Sequence, residues 1–115
     1  MALEILNEAL SHHREGRLAA AERLYRQILS REPANPSALV HLALLAQATG
    51  RLHDARALLE RAVAGSPGDA QCHNNLGNVL RELGRLAEAE ASYRAALECD
   101  RNYVNAYFNL AARPG

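Results

Sequence analysis

Five histidines and two cysteines are the side chains of this 115-residue sequence with the widest chemical reach. A metal ion needs ligands converging from one helix face, commonly at i and i+4, or from paired Cys-x-x-Cys turns. His12 and His13 are adjacent in a helical stretch and therefore point about 100° apart, while His53 and His73 fall in different helical segments without an i+4 partner. Cys72 next to His73 would pair a thiol with a base only if helical neighbours faced one another, which they do not. Cys72 and Cys99 have no Cys-x-x-Cys spacing, which suits a reducing compartment and provides neither a disulfide framework nor a zinc site. Three Gly-Arg-Leu triplets lack the glycine-rich spacing and the Lys-Ser/Thr ending of a phosphate loop. No catalytic residue, metal or cofactor is expected, and the reading is of a chain that is not an enzyme.

Charge and composition narrow the partners. Thirteen basic residues balance thirteen acidic ones, so no net field draws the chain to nucleic acid or to an anionic membrane surface. No apolar run approaches membrane-spanning length, and the first residues enter an amphipathic pattern (Leu3, Ile5, Leu6, Ala9, Leu10) without a secretory leader. A soluble, cytoplasmic protein is expected, with 49% hydrophobic residues supplying the core of one domain.

The elements follow from punctuation. Gly16-Arg17-Leu18, Gly50-Arg51-Leu52 and Gly84-Arg85-Leu86 stand 34 residues apart. They divide a single domain over 1–115 into repeats at 2–35, 36–69 and 70–103, followed by a partial repeat or capping helix over 104–115. Each repeat predicts two helices. The first run from Ala2 to Glu15, Pro36 to Thr49 and Ala70 to Leu83; the second from Leu18 to Arg31, Leu52 to Ala64 and Leu86 to Cys99. The glycines suit left-handed helix stops, and Asn35 and Asp69 suit N-caps, with Pro36 at the first helical position. Pro114 should end the last helix early.

Equivalent positions define the interior. The eighth place of each unit is Ala9, Ala43, Gly77 and Ala111, and the twentieth is Ala21, Ala55 and Ala89. Small residues on both helices allow a close antiparallel crossing. Leu18, Leu52 and Leu86, then Tyr25, Leu59 and Tyr93, then Leu29, Val63 and Leu97, are expected to fill the space around it. The last helix would either cap the array or expose an apolar face with Tyr107 and Leu110.

A 34-residue helix-turn-helix period with small residues at places eight and twenty resembles the tetratricopeptide repeat. The family's Trp-x2-Leu-Gly-x2-Tyr stands in the third unit as His73-x2-Leu76-Gly77-x2-Leu80, its Ala-x3-Phe as Ala89-x3-Tyr93, and its closing proline as Arg101. The second unit offers Leu39, Leu42, Ala43, Ala46, Ala55, Leu59 and Pro67. The first offers Ile5, Glu8, Ala9, His12, Ala21, Tyr25 and Pro33, where Glu8 departs from the family's leucine. The resemblance implies an all-α fold, a right-handed α-solenoid of three repeats plus a partial fourth helix.

It also implies that the first helices line a concave groove. The groove residues would then include Leu6, Leu10, Val40, His41, Leu44, Gln71, Asn74, Asn75, Asn78, Arg81, Asn105 and Asn109, apolar at the N-terminal end and amide-rich at the other. An asparagine amide both donates and accepts, so it can hold the backbone of an extended peptide without reading its side chains. Asn75 and Asn109 share one place in successive units, and Asn74-Asn75-Leu76-Gly77-Asn78 is similar to the asparagine-containing repeats of O-linked glycosyltransferases. The same amides would equally serve to solvate the face. The places from which some family members clamp a peptide carboxylate hold Leu6, Leu10, His41, Gln71 and Asn75, which include no cation. The expected function is a non-catalytic scaffold that binds a protein segment or helix. Self-assembly through the truncated last helix, or service as the accessory repeats of a larger enzyme such as a glycosyltransferase, are the alternatives.

Overall fold

The computed structural model describes residues 1–112. Seven helices follow one another: α1 (Ala2–Arg14), α2 (Leu18–Arg31), α3 (Pro36–Ala48), α4 (Leu52–Gly65), α5 (Ala70–Glu82), α6 (Leu86–Cys99) and α7 (Val104–Ala111). The expected spans hold to within one residue. Pro114, the residue expected to end the last helix, lies outside the described residues.

Each hairpin turns by one device used three times. Gly16, Gly50 and Gly84 adopt φ of +80°, +81° and +80°, a region open to glycine at little steric cost. The following arginine amide then reaches back to a carbonyl in the last turn: Arg17 to His12 at 2.9 Å, Arg51 to Ala46 at 2.8 Å and Arg85 to Leu80 at 2.9 Å. Those bonds satisfy carbonyls that the helix end leaves open. At the starts of α3 and α5, Asn35 Oδ1 accepts from the Ala38 amide at 3.0 Å and Asp69 Oδ1 from the Gln71 amide at 2.9 Å.

Within a hairpin the small residues meet. Ala9, Ala21, Ala43, Ala55, Gly77 and Ala89 are all buried, and the helices pack in sequence along a body of 42 × 26 × 21 Å. First helices also touch one another, α1 against α3 and α5 against α7. The result is an all-α solenoid of three hairpins with a seventh helix stacked on the last.

The expected filling of the crossing holds in part, since Leu29 and Val63 pack against the core. The buried positions late in the second helices are Ile28, Ala62 and Ala96, one residue before the expected Leu29, Val63 and Leu97, which are only half-buried. Ile28, Ala62 and Ala96 lie three residues beyond Tyr25, Leu59 and Tyr93, on the helix face already turned to the first helix. Leu86 is exposed, unlike half-buried Leu18 and Leu52, because among the described residues no second helix follows α7 to cover it. Of the two outcomes expected for the last helix, capping and an exposed apolar face, each holds in part: Leu110 packs half-buried against the core, while Tyr107 is exposed.

Gly77 shows how tightly the crossing is set. A Cβ there would sit 2.6 Å from the Tyr93 ring, closer than carbon atoms pack. With no methyl in the way the ring lies over place eight and its hydroxyl donates to Asn78 Oδ1 at 2.7 Å. The first unit has Ala9 at that place, and there the Tyr25 hydroxyl bonds His13 Nδ1 instead, at 2.9 Å. Gly77→Ala gains up to about 1 kcal/mol of helix propensity but overpacks the ring at about 1 to 3 kcal/mol. Urea unfolding should therefore show a net loss of about 1 kcal/mol, where an uncrowded helical glycine would show a gain.

Candidate functional site

The first helices carry all twelve candidate residues, and the way those helices stack decides what each can do. Two side-chain bonds join successive first helices: Gln47 donates to Glu82, and Asn109 Nδ2 donates to Asn74 Oδ1 at 2.9 Å. Both span 35 residues, one more than the repeat. Place five of one unit therefore meets place six of the next. Asn74 supplies the acceptor that Asn109 uses and is itself only 4% exposed.

The same 35-residue step separates Val40 from Asn75. A valine accepts no hydrogen bond, and Asn75 Nδ2 is buried with no partner. One amide rung is closed, between Asn109 and Asn74, while the donor of Asn75 is open, and the residue one such step before Asn75 is a valine. An unmet buried donor costs about 1 to 3 kcal/mol.

The apolar candidates contribute mostly to the core. Leu6 and Leu10 pack half-buried against the cluster of Ala9, Ala21, Tyr25, Leu42 and Leu45. Val40 is 7% exposed within the second cluster, and Leu44 is half-buried on its edge. Asn78 is held by Tyr93, while the Arg81 guanidinium lies 5.8 Å from the Tyr93 ring centroid, a cation–π contact. Arg81 also borders a cavity of about 380 Å³ with Leu86, Tyr93 and Leu110. Gln71 and Asn105 are exposed. Gln71 sits at a shallow depression beside Asp69, Asp100 and Tyr103, whose lining includes none of Asn74, Asn75 and Asn109.

One cluster was not legible in the sequence. His13, Tyr25 and His41 come from α1, α2 and α3 and meet at the N-terminal end of the wall. Tyr25 is fully buried; its ring stacks on His41 at 6.1 Å and meets His13 edge-on at 5.8 Å. His41 Nδ1 lies 2.8 Å from the Ser37 carbonyl oxygen, which can only accept, so Nδ1 carries the proton. Burial, and then the neighbouring His41, push the His13 pKa below its usual value. The signal available was a histidine at place twelve followed by a tyrosine at place 24, but only the stacking shows that His41 completes the group.

The thiol of Cys72 is buried, and burial with the nearby Asp69 carboxylate pushes its pKa up to about 11. It is held as a thiol at neutral pH and is a poor nucleophile. His73, its sequence neighbour, directs Nε2 to the Pro67 carbonyl oxygen at 2.8 Å. No helix among the described residues is long and apolar enough to cross a membrane.

Comparison with known proteins agrees with this architecture. The tetratricopeptide repeat family matches residues 6–70 and again 42–104. The human Protein O-mannosyl-transferase TMTC3 is 31% identical over 80 residues, 69% of this chain and 9% of that protein. Among solved structures, a Thermobaculum terrenum O-GlcNAc transferase mutant superposes with a TM-score of 0.88 at 38% identity, over 95% of this chain and 21% of the other. The first TPR of Spaghetti (RPAP3), bound to the HSP90 peptide SRMEEVD, gives 0.90 at 22% identity, over 96% and 87%, a likeness of fold. The chain thus spans less than a tenth of TMTC3 and about a fifth of the transferase.

Two outcomes follow from the site. Asn75→Leu removes the open donor while keeping the volume, so thermal unfolding should occur at an unchanged or higher temperature, by up to about 1 kcal/mol. A lowered Tm would mean that the amide is satisfied in solution. For His13 the folded pKa lies below the unfolded one, so its contribution is complete above about pH 6.5 and is lost as pH falls through the folded value. Unfolding temperatures measured from about pH 8 to about pH 5 should decline, and His13→Gln should flatten that decline.

Proposed function

Because this chain belongs to the tetratricopeptide repeat family, we propose that it is a non-catalytic scaffold that binds an extended protein segment along the wall formed by α1, α3, α5 and α7. The observation that carries the reading is the open rung: Asn75 Nδ2 is buried, unpartnered and next to the closed Asn74–Asn109 pair. Rotation of the half-buried Asn75 side chain would bring that donor to a peptide carbonyl, so bound backbone would relieve a cost present in the free protein. Asn109 and the amide of Asn78 extend the same polar strip, Asn105 and Arg81 would flank it, and Gln71 would contact a longer segment beyond it. At the other end Leu6, Leu10, Leu44 and the His41 ring would take apolar side chains. Backbone held at one end and side chains at the other give affinity and selectivity from separate parts of the wall.

The peptide class differs from that of the structural neighbour bound to SRMEEVD. A carboxylate in a protein groove needs ionised donors to replace its water, and Leu6, Leu10, His41, Gln71 and Asn75 offer no fixed cation. The match to repeat regions of two glycosyl- or mannosyl-transferases supports a second placement, in which the chain serves as the protein-recognition part of a larger enzyme. Both readings use the same wall.

Selection from a displayed peptide library, followed by calorimetry with the recovered peptide, tests the proposal. Asn75→Leu should weaken binding by about tenfold, the equivalent of one lost hydrogen bond of about 1.4 kcal/mol, while the helix signal stays intact. Affinity unchanged in both Asn75→Leu and Asn109→Ala would remove the wall as the binding surface. SRMEEVD itself should show no measurable heat.

A further inference from the structure

Pro67 lies in the turn between α4 and α5, and its carbonyl oxygen is approached by two side chains of the kind that ligate metals. His73 Nε2, one turn into α5, stands 2.8 Å from that oxygen, and Cys99 Sγ, at the last residue of α6, donates to it at 3.4 Å. A carbonyl oxygen can only accept, so Nε2 carries a proton, as the thiol does. Two donors from different helices meet at one acceptor. The turn that presents it is fixed, because the Asp69 amide donates to the Ser66 carbonyl at 3.1 Å and the Asp69 carboxylate caps α5. Only the third unit has this pair: the places of His73 and Cys99 hold Ile5 and Arg31 in the first unit and Leu39 and Gly65 in the second.

We propose that His73, Cys99 and the Pro67 carbonyl bind one zinc ion, with water in the fourth position. Zinc takes imidazole nitrogen at about 2.0 to 2.1 Å, thiolate sulfur at about 2.3 Å and oxygen at about 2.0 to 2.2 Å, which in a tetrahedron sets the ligand atoms about 3.4 to 3.6 Å apart. The sulfur–oxygen distance is close to that already, and the nitrogen–oxygen distance has to open by about 0.6 Å. Cys99 is exposed, so its sulfur is free to turn toward the imidazole. On binding, the imidazole proton moves from Nε2 to Nδ1 and the thiol proton passes to solvent, so one proton leaves per ion. Cys72 is no substitute, since its thiol is buried and its pKa is pushed up to about 11. Among the described residues no three side chains of His, Cys, Asp and Glu gather into a metal cluster; the site is therefore open, with two side chains and a carbonyl, and weaker than a closed structural site. Sequence spacing, which argues against zinc through the lack of Cys-x-x-Cys, does not register a pair 26 residues apart that the fold brings to one turn. An ion there ties the turn to the start of α5 and the end of α6. The proposal does not depend on the peptide-binding reading.

Calorimetric titration of the reduced 115-residue chain with zinc chloride in chelator-free buffer tests it. One ion per chain should bind, with a heat that varies with the ionisation enthalpy of the buffer as the proton is released, and excess zinc should raise the unfolding temperature. Cys99→Ser and His73→Gln, at an exposed and a half-buried position outside the core, should each weaken binding by at least about tenfold and remove that rise. His53→Gln, at an exposed histidine of α4, should change nothing. No binding, or binding that survives undiminished in either Cys99→Ser or His73→Gln, overturns the proposal.

Discussion

The close crossing of small residues at places eight and twenty is the constraint on which the remaining structure depends. Ala9 against Ala21, Ala43 against Ala55 and Gly77 against Ala89 bring the two helices of each hairpin together. Larger side chains then have to pack around the contact. Tyr25, Leu59 and Tyr93 fill that space, and where the first helix has no methyl at all, at Gly77, the tyrosine ring settles into the vacancy. A helix gives up propensity at that glycine because the packing it permits is worth more.

Close hairpins with identical turns stack with a constant offset, and that offset creates the site. Successive first helices meet one residue out of step with the repeat, as Gln47 with Glu82 and Asn74 with Asn109 show. Side chains at places five and six thereby become partners. Where both are asparagine the amides satisfy one another; at Asn75, one such step after Val40, a donor is left open. Recognition of a guest by this wall, as proposed, would depend on open groups of this kind, since fully satisfied amides have little to gain from a ligand.

Electrostatics join hairpins on the other side of the molecule. Glu22 accepts from Arg26 in its own helix and from Arg51 of the next hairpin at 2.9 Å, and the bond from Arg51 holds its carboxyl below the usual range. Arg56 similarly reaches both Glu60 and Glu88. Bridges of this sort, half-exposed, contribute modestly; their consequence is to fix the rotation of one hairpin on the next, on which the offset of the first helices depends.

By itself the sequence determined the helices, their turns and the spacing of the crossing, because glycine in a left-handed turn, asparagine or aspartate at an N-cap and alanine at a crossing act over a few residues. Its family pattern extended that to the stacked fold. Only tertiary structure decided that Ile28, Ala62 and Ala96 are buried in preference to Leu29, Val63 and Leu97, that Leu86 lies open, that His13, Tyr25 and His41 form one cluster, and that Asn109 is paired while Asn75 is not. Each of these depends on the angle and offset between helices that are distant in sequence. The 34-residue period is written in the chain, whereas the 35-residue register arises from how the hairpins settle on one another.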